Sequence, residues 1–160
     1  MKLLLKNPAV RKILSALAIV FFGYILLNLT FILDALYQGI IRNIVGRFLP
    51  LGPDSNLYWF PPLMHGSFMI MIGLISGFVF KAKLKTLYKA VYLSVPVAVV
   101  LVTIGMFLSH WSIILYLFGS LLVLGTLYYF YYKKLSWLYY FTVIFWSAVL
   151  TVFTLLGGEI

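Results

Sequence analysis

A chain of 160 residues with 64% hydrophobic residues, 9% charged residues and a mean hydropathy of +1.11 is an integral membrane protein, since water-soluble domains are nearer half apolar and about a quarter charged. Its net charge of +9 does not point to nucleic acid, because the basic residues fall in short connections between apolar runs instead of forming a solvated patch. The absence of cysteine excludes disulfides, thiolate metal sites, Cys-x-x-Cys-His haem attachment and palmitoylation.

A helix rises about 1.5 Å per residue and the hydrocarbon core is about 30 Å thick, so a span needs roughly 20 apolar residues. Five runs qualify, at about 13–33, 61–80, 87–110, 112–132 and 136–156. They lack the period-two alternation of barrel strands, and backbone groups in hydrocarbon must pair internally. The expected fold is therefore all-α: a single domain over 1–160, built as a bundle of five transmembrane helices.

Lys2, Lys6, Arg11 and Lys12 precede the first span. That span is about 21 residues long with no A-x-A site after it, and reads as a retained anchor, not a signal peptide. Residues 34–60 are the one long connection. Their first half reads either as a continuation of the first span or as an amphipathic helix on the outer leaflet, with Leu36, Tyr37, Ile40, Ile41, Ile44 and Phe48 on one face. Pro50 ends it, and Gly52 to Asn56 supply turn chemistry before Pro61 and Pro62 open the second span.

The second span carries Gly66, Gly73 and Gly77, the last two as GxxxG. Small residues at this spacing let a helix approach closely, within the chain or from another copy. Lys81, Lys83, Lys85 and Lys89 follow, then a third span interrupted by Pro96. Lys133 and Lys134 separate the last two spans. Ten of the twelve basic residues thus share one face, while Arg42 and Arg47 lie on the other with Asp34, Asp54 and Glu159. The positive-inside rule predicts a multi-pass protein of the cell membrane with its basic loops and N-terminus cytoplasmic and its C-terminus outside. Trp59 and Trp111 mark the outer interface, and Tyr128, Tyr129, Tyr131, Tyr132, Trp137 and Tyr139 the inner one.

The two histidines are His65, opening the second span, and His110, closing the third. Because these spans run in opposite directions, both imidazoles fall near the outer side. Met69 lies four residues after His65 and Met106 four before His110, so each thioether is expected about 6 Å deeper on the face of its histidine. Imidazole pairs suit haem iron or copper, and thioethers suit Cu(I) or an axial haem position. His65, His110, Met69 and Met106 are the candidate cofactor-binding residues, the two histidines being the metal ligands. Alternatively, the histidines are interfacial residues and the methionines packing filler.

The run DSNLYWFPPLMHGSFMIMIGLISGF, residues 54–78, resembles the entry to the second transmembrane helix of subunit I of the haem-copper oxidases. There an outer-side histidine followed by a small residue, a Met four positions on and a later Gly-Phe ligates the low-spin haem. The matching positions are His65, Gly66, Met69, Ile70, Gly77 and Phe78. The resemblance implies one low-spin haem with His65 as a ligand, and His110 serves as the other candidate ligand. It does not imply oxygen reduction, because the further histidines and the cross-linked tyrosine of that family's active site have no counterpart.

The functional expectation is a small membrane protein binding haem at the outer side, as an electron-transfer or accessory subunit. The alternatives are a copper or small-solute carrier using the same side chains, or a structural subunit without cofactor. The last rests on the lack of ionisable residues inside the spans, Asp34 being placed at a span end. An enzyme is disfavoured, since no nucleophile elbow, HExxH or paired-carboxylate motif is present. Asp34, Asp54 and Glu159 are expected as solvated outer-face carboxylates. The expected partners are the bilayer, other membrane subunits or a second copy of the chain.

Overall fold

A computed structural model describes residues 7–48, 60–108 and 111–156 of the protein. These form five helices and, among the described residues, no strand. They are α1 (Pro8–Val45), α2 (Phe60–Lys81), α3 (Thr86–Leu108), α4 (Ser112–Tyr132) and α5 (Trp137–Leu155). All five are long and apolar enough to cross a membrane.

The first helix starts where the sequence supplies a cap. The Asn7 side chain accepts from the Ala9 N–H at 3.0 Å, with Pro8 in the first turn where its missing N–H costs nothing. It then runs without a break for 38 residues, about 57 Å, well beyond the hydrocarbon thickness. Residues 34–45 are thus a continuation of the first span and not a separate helix on the leaflet. The apolar face expected for that segment is only partly used: Leu36, Ile40, Ile44 and Phe48 are exposed. The side turned inward instead begins with Asp34, Tyr37 and Gln38.

α3 occupies the centre and packs against the other four helices. Its inward positions are small or β-branched: Ala90, Ser94, Val95, Ala98, Val99 and Val102, which lets several helices approach it at once. α1, α3 and α5 run parallel and in a common register. Ile19, Ala90 and Leu138 form one core layer, and Leu27, Ala98 and Trp146 form the next. Each helix advances eight residues between them, so the layers are about 12 Å apart. Thr142 Oγ1 ties α5 to α3 between these layers, donating to the Ala90 carbonyl at 3.0 Å and to its own Leu138 carbonyl at 2.9 Å. Between the same two layers on α1, Gly23 lies against the Trp146 indole so closely that a Cβ there would sit 2.9 Å from Nε1 and Cζ2.

α2 is antiparallel to α1 and α3, burying Phe68 and Ile72 against Val95 and Val99. Lys89 Nζ closes its basic end by donating to the Phe80 carbonyl at 2.6 Å, where a cation also suits the helix dipole. Of the three glycines on α2, Gly66 faces Phe107 of α3, whereas a Cβ at Gly73 or Gly77 meets nothing within 4 Å. The GxxxG pair therefore does not serve packing among the described residues. α4 is peripheral, anchored by Phe130 against Leu93 and Val143, with Ile113, Leu117, Leu121 and Leu124 exposed.

Candidate functional site

The eight-residue step that orders the core predicts another layer near residues 35, 106 and 154 of α1, α3 and α5. No apolar cluster fills that level. It holds one end of a cavity of about 510 Å³, within the range of small-molecule sites, roughly 300–1,000 Å³. Asp34, Gln38 and Phe31 of α1, His65 of α2, Met106 of α3 and Phe153 of α5 line this end. Towards the middle of the bundle the walls are Tyr24, Leu27 and Asn28 of α1 with Trp146 and Leu150 of α5. Tyr24, Asn28, Phe31, Val149 and Phe153 are exposed, so the cavity is open on the side between α1 and α5.

At its head is a buried ionisable pair. The His65 Nδ1–H donates to Asp34 Oδ2 at 2.8 Å, with Asp34 7% and His65 4% exposed. Gln38, one turn beyond Asp34, donates from Nε2 to the same oxygen at 2.9 Å. The 3.5 Å approach of Gln38 Nε2 to His65 Nδ1 follows from two donors sharing one acceptor and is not a further bond. A carboxylate accepting from Nδ1 fixes the tautomer, leaving Nε2 as the ring's lone-pair nitrogen. Among the described residues neither His65 Nε2 nor Asp34 Oδ1 has a hydrogen-bond partner, although both are buried. Each orphaned polar atom costs about 1–3 kcal/mol.

A second link holds the register. Ser67 Oγ donates to the Met64 carbonyl at 2.6 Å, which leaves it to accept from the Tyr37 hydroxyl at 2.9 Å. Asp34, Tyr37 and Gln38, at i, i+3 and i+4, share one face of α1, and His65 and Ser67 meet them from α2. Phe68, fully buried, lies under both the Tyr37 ring and the imidazole at 5.7 and 6.3 Å between centroids. The imidazole is thus fixed by a carboxylate on one side and an aromatic ring below.

The structure brings together part of the candidate set. His65 and Met106 line one cavity. Met69 does not join them: it packs against the cluster of Phe68, Ile72, Val95 and Val99. His110 lies outside the described residues, as do Asp54 and Glu159. Asp34 corrects the expectation of a solvated carboxylate at a span end, because the unbroken helix carries it into the bundle and seals it against His65. The premise that the spans hide no ionisable group fails with it.

Asp34 and Gln38 were missed as site residues, and the signal was in the chain. A carboxylate and an amide at i and i+4 directly after an apolar run are worth placing on a helix face before being assigned to a loop.

A second cleft of about 580 Å³ lies between α3, α4 and α5. Its hydroxyls are largely turned to their own helices: Ser120, Thr151 and Thr154 donate to the Leu117, Ser147 and Leu150 carbonyls. It holds no imidazole or carboxylate. Among the described residues no group of three or more His, Cys, Asp or Glu side chains is placed to hold a metal ion. Comparison with protein-family profiles, with curated proteins and with solved structures finds no match.

Proposed function

We propose that the protein is a multi-pass membrane protein, basic loops cytoplasmic, that binds a haem in the cavity between α1, α3 and α5, with His65 Nε2 as an iron ligand. The observation that carries this reading is the state of the imidazole of His65, a residue at the head of a largely apolar cavity: Nδ1 is anchored on Asp34, and Nε2, buried, has no partner among the described residues. Metal-ligating histidines have this arrangement, a carboxylate on the far nitrogen fixing the ring and raising its basicity. An ion held by side chains alone needs three or four donors, which the described residues do not assemble. A porphyrin brings four nitrogens of its own and asks the protein for one or two axial ligands.

Met106 lines the same cavity and is the candidate second ligand among the described residues, with His110 the other. Aromatic walls from Phe31, Trp146 and Phe153 suit the faces and edges of a macrocycle. When bound, the haem supplies one-electron chemistry. Asp34, itself held by Gln38, would hold the ligating ring, and the apolar walls would keep water from a bound haem. An electron-transfer or accessory role in a membrane complex follows, and the exposed apolar faces of α2 and α4 are available to lipid or to other subunits.

The test is an ultraviolet-visible spectrum with elemental analysis of the intact protein in mild detergent. A Soret band with stoichiometric iron is expected for the wild type, lost in His65→Ala, altered in Met106→Leu and unchanged in Met69→Leu. No Soret band in the wild type, even after haem addition, would falsify the reading, and copper without a Soret band would favour the carrier alternative.

A further inference from the structure

The surface of α1 carries an amide at a depth where hydrocarbon is expected. Asn28 follows Leu27, which forms one core layer with Ala98 and Trp146. Those two residues stand at the centres of α3 (Thr86–Leu108) and α5 (Trp137–Leu155), so Asn28 is at mid-span, and it is exposed. One of its amide hydrogens goes to the Tyr24 carbonyl at 2.8 Å. The second N–H and Oδ1 have no partner among the described residues. Exposed hydroxyls elsewhere on the spans are met by their own helix, Ser120 and Thr151 donating to the Leu117 and Ser147 carbonyls. A primary amide has two hydrogens and a carbonyl, so one bond to its own helix leaves a donor and an acceptor unmet. At the centre of a bilayer neither lipid tails nor water supplies them, and the amide calls for another polar group.

The rest of that face is shaped for a second helix. Phe21, Tyr24, Asn28, Ile32, Ala35 and Gly39 follow one another at spacings of three and four, which sets them on one stripe of α1, and all six are exposed. Ala35 and Gly39 are small residues four apart, and a Cβ at Gly39 meets nothing within 4 Å, so another backbone can come close on the outer side of Asn28. Gly73 and Gly77 of α2 are equally open. Their exposed neighbours Ile70 and Leu74 are apolar, however, and lipid satisfies them. The amide is what distinguishes α1.

We propose that this stripe is a docking surface for a second copy of the chain, the two α1 helices pairing in parallel about Asn28. Symmetry and donor count select that partner. Two copies inserted with their basic loops on the same side are related by a two-fold axis along the membrane normal, which keeps every residue at its own depth. Asn28 therefore meets its own counterpart. An amide both donates and accepts, so two of them satisfy each other through a reciprocal pair of N–H···O bonds, which two identical pure donors or pure acceptors could not do. A single Asn in the seam of a parallel helix pair also fixes register and oligomeric state. The inference uses the membrane placement of α1 and is independent of the haem assignment. Asn28 also lines the cavity, so a molecule held there is the competing partner that a test must separate.

The experiment uses the full chain in lipid vesicles. Because the chain has no cysteine, Lys83→Cys, exposed at the basic end, takes a donor or an acceptor dye at a single site, and energy transfer between copies is followed as the protein-to-lipid ratio is varied. An interhelical hydrogen bond of this kind is worth about three- to eighteen-fold in an association constant. Two related by symmetry should make the Asn28→Leu dimer weaker by at least about eight-fold, and Asn28→Gln is expected to retain part of the association. Far-UV circular dichroism of Asn28→Leu should be unchanged, which keeps loss of the dimer from being loss of the fold. In otherwise wild-type chains, Ala35→Cys on the stripe is expected to form a disulfide-linked dimer on oxidation. Leu33→Cys, exposed at nearly the same depth but turned to another side of α1, is not. Energy transfer no greater than chance proximity, unchanged association in Asn28→Leu, or equal cross-linking at Leu33→Cys overturns the proposal. A monomeric wild type that loses a co-purified lipid or cavity ligand in Asn28→Leu overturns it as well, and assigns the amide to that molecule.

Discussion

Replacing Asp34 by Ala removes the acceptor shared by His65 Nδ1 and Gln38 Nε2. Each hydrogen bond to a carboxylate contributes about 1.5–3 kcal/mol. Against that loss stands the removal of Asp34 Oδ1, buried without a partner, whose desolvation costs about 1–3 kcal/mol. Two bonds weighed against one orphan leave a net destabilisation of about 2–3 kcal/mol. The share belonging to the pair is isolated by a double-mutant cycle with His65→Ala. Neutral hydrogen bonds between membrane helices average about 0.6 kcal/mol in such cycles. A hydrogen bond to a carboxylate in a water-poor site should lift the coupling here to about 1.5–3 kcal/mol. The assay is reversible unfolding of the four proteins in mixed lipid and detergent micelles, followed by far-UV circular dichroism. The Tyr37 to Ser67 link and the packing of Phe68 and Ile72 remain in every variant, so all four are expected to fold. A coupling at or below about 0.6 kcal/mol would refute the reasoning, since the two side chains would then be ordinary polar neighbours.

Gly23→Ala is expected to destabilise by about 1–3 kcal/mol, the usual cost of overpacking, because its Cβ would lie 2.9 Å from the Trp146 ring. Thermal melts should show the loss, and Trp146→Leu in the same chain should relieve part of it. Gly73→Ala and Gly77→Ala should be neutral or stabilising by up to about 1 kcal/mol, as helix propensity alone decides where nothing stands within 4 Å. A loss above about 1 kcal/mol at constant oligomeric state would show that this face is covered after all.

The five helices were legible because apolar runs of span length leave one architecture available in hydrocarbon. The site was legible only in part. His65 stood out as one of two histidines, and Met106 followed from helical spacing. Met69 obeyed the same spacing and still went elsewhere, because i, i+4 fixes a face of α2 but not which neighbour that face meets, and α3 presents Val95 and Val99 there. Asp34 and Gln38 were hidden by an assumed boundary. Apolar run length ends a span at the first carboxylate, whereas a helix ends where its backbone stops pairing, eleven residues later at Val45.

Helix association alone does not account for the polar head of the cavity. The Tyr37 to Ser67 bond already joins α1 to α2, and Thr142 joins α5 to α3, in each case with neutral groups that leave no charge to desolvate. Filling the level of Asp34, His65 and Met106 with apolar side chains, as the two layers beneath it are filled, would bury apolar area and remove both orphaned atoms. Replacing buried ion pairs by well-packed hydrophobic residues is often neutral or stabilising by about 1–4 kcal/mol. The pair thus occupies a level where packing alone would serve stability as well, and its unpartnered atoms, His65 Nε2 and Asp34 Oδ1, are both acceptors when the Nδ1–H points to Asp34. A site with that character asks for a ligand that is electron-deficient or rich in donors. Intramembrane ionisable residues are retained chiefly for function, and the haem proposed above would meet the imidazole with its iron, while a donor-bearing group beside the carboxylate would complement the other atom.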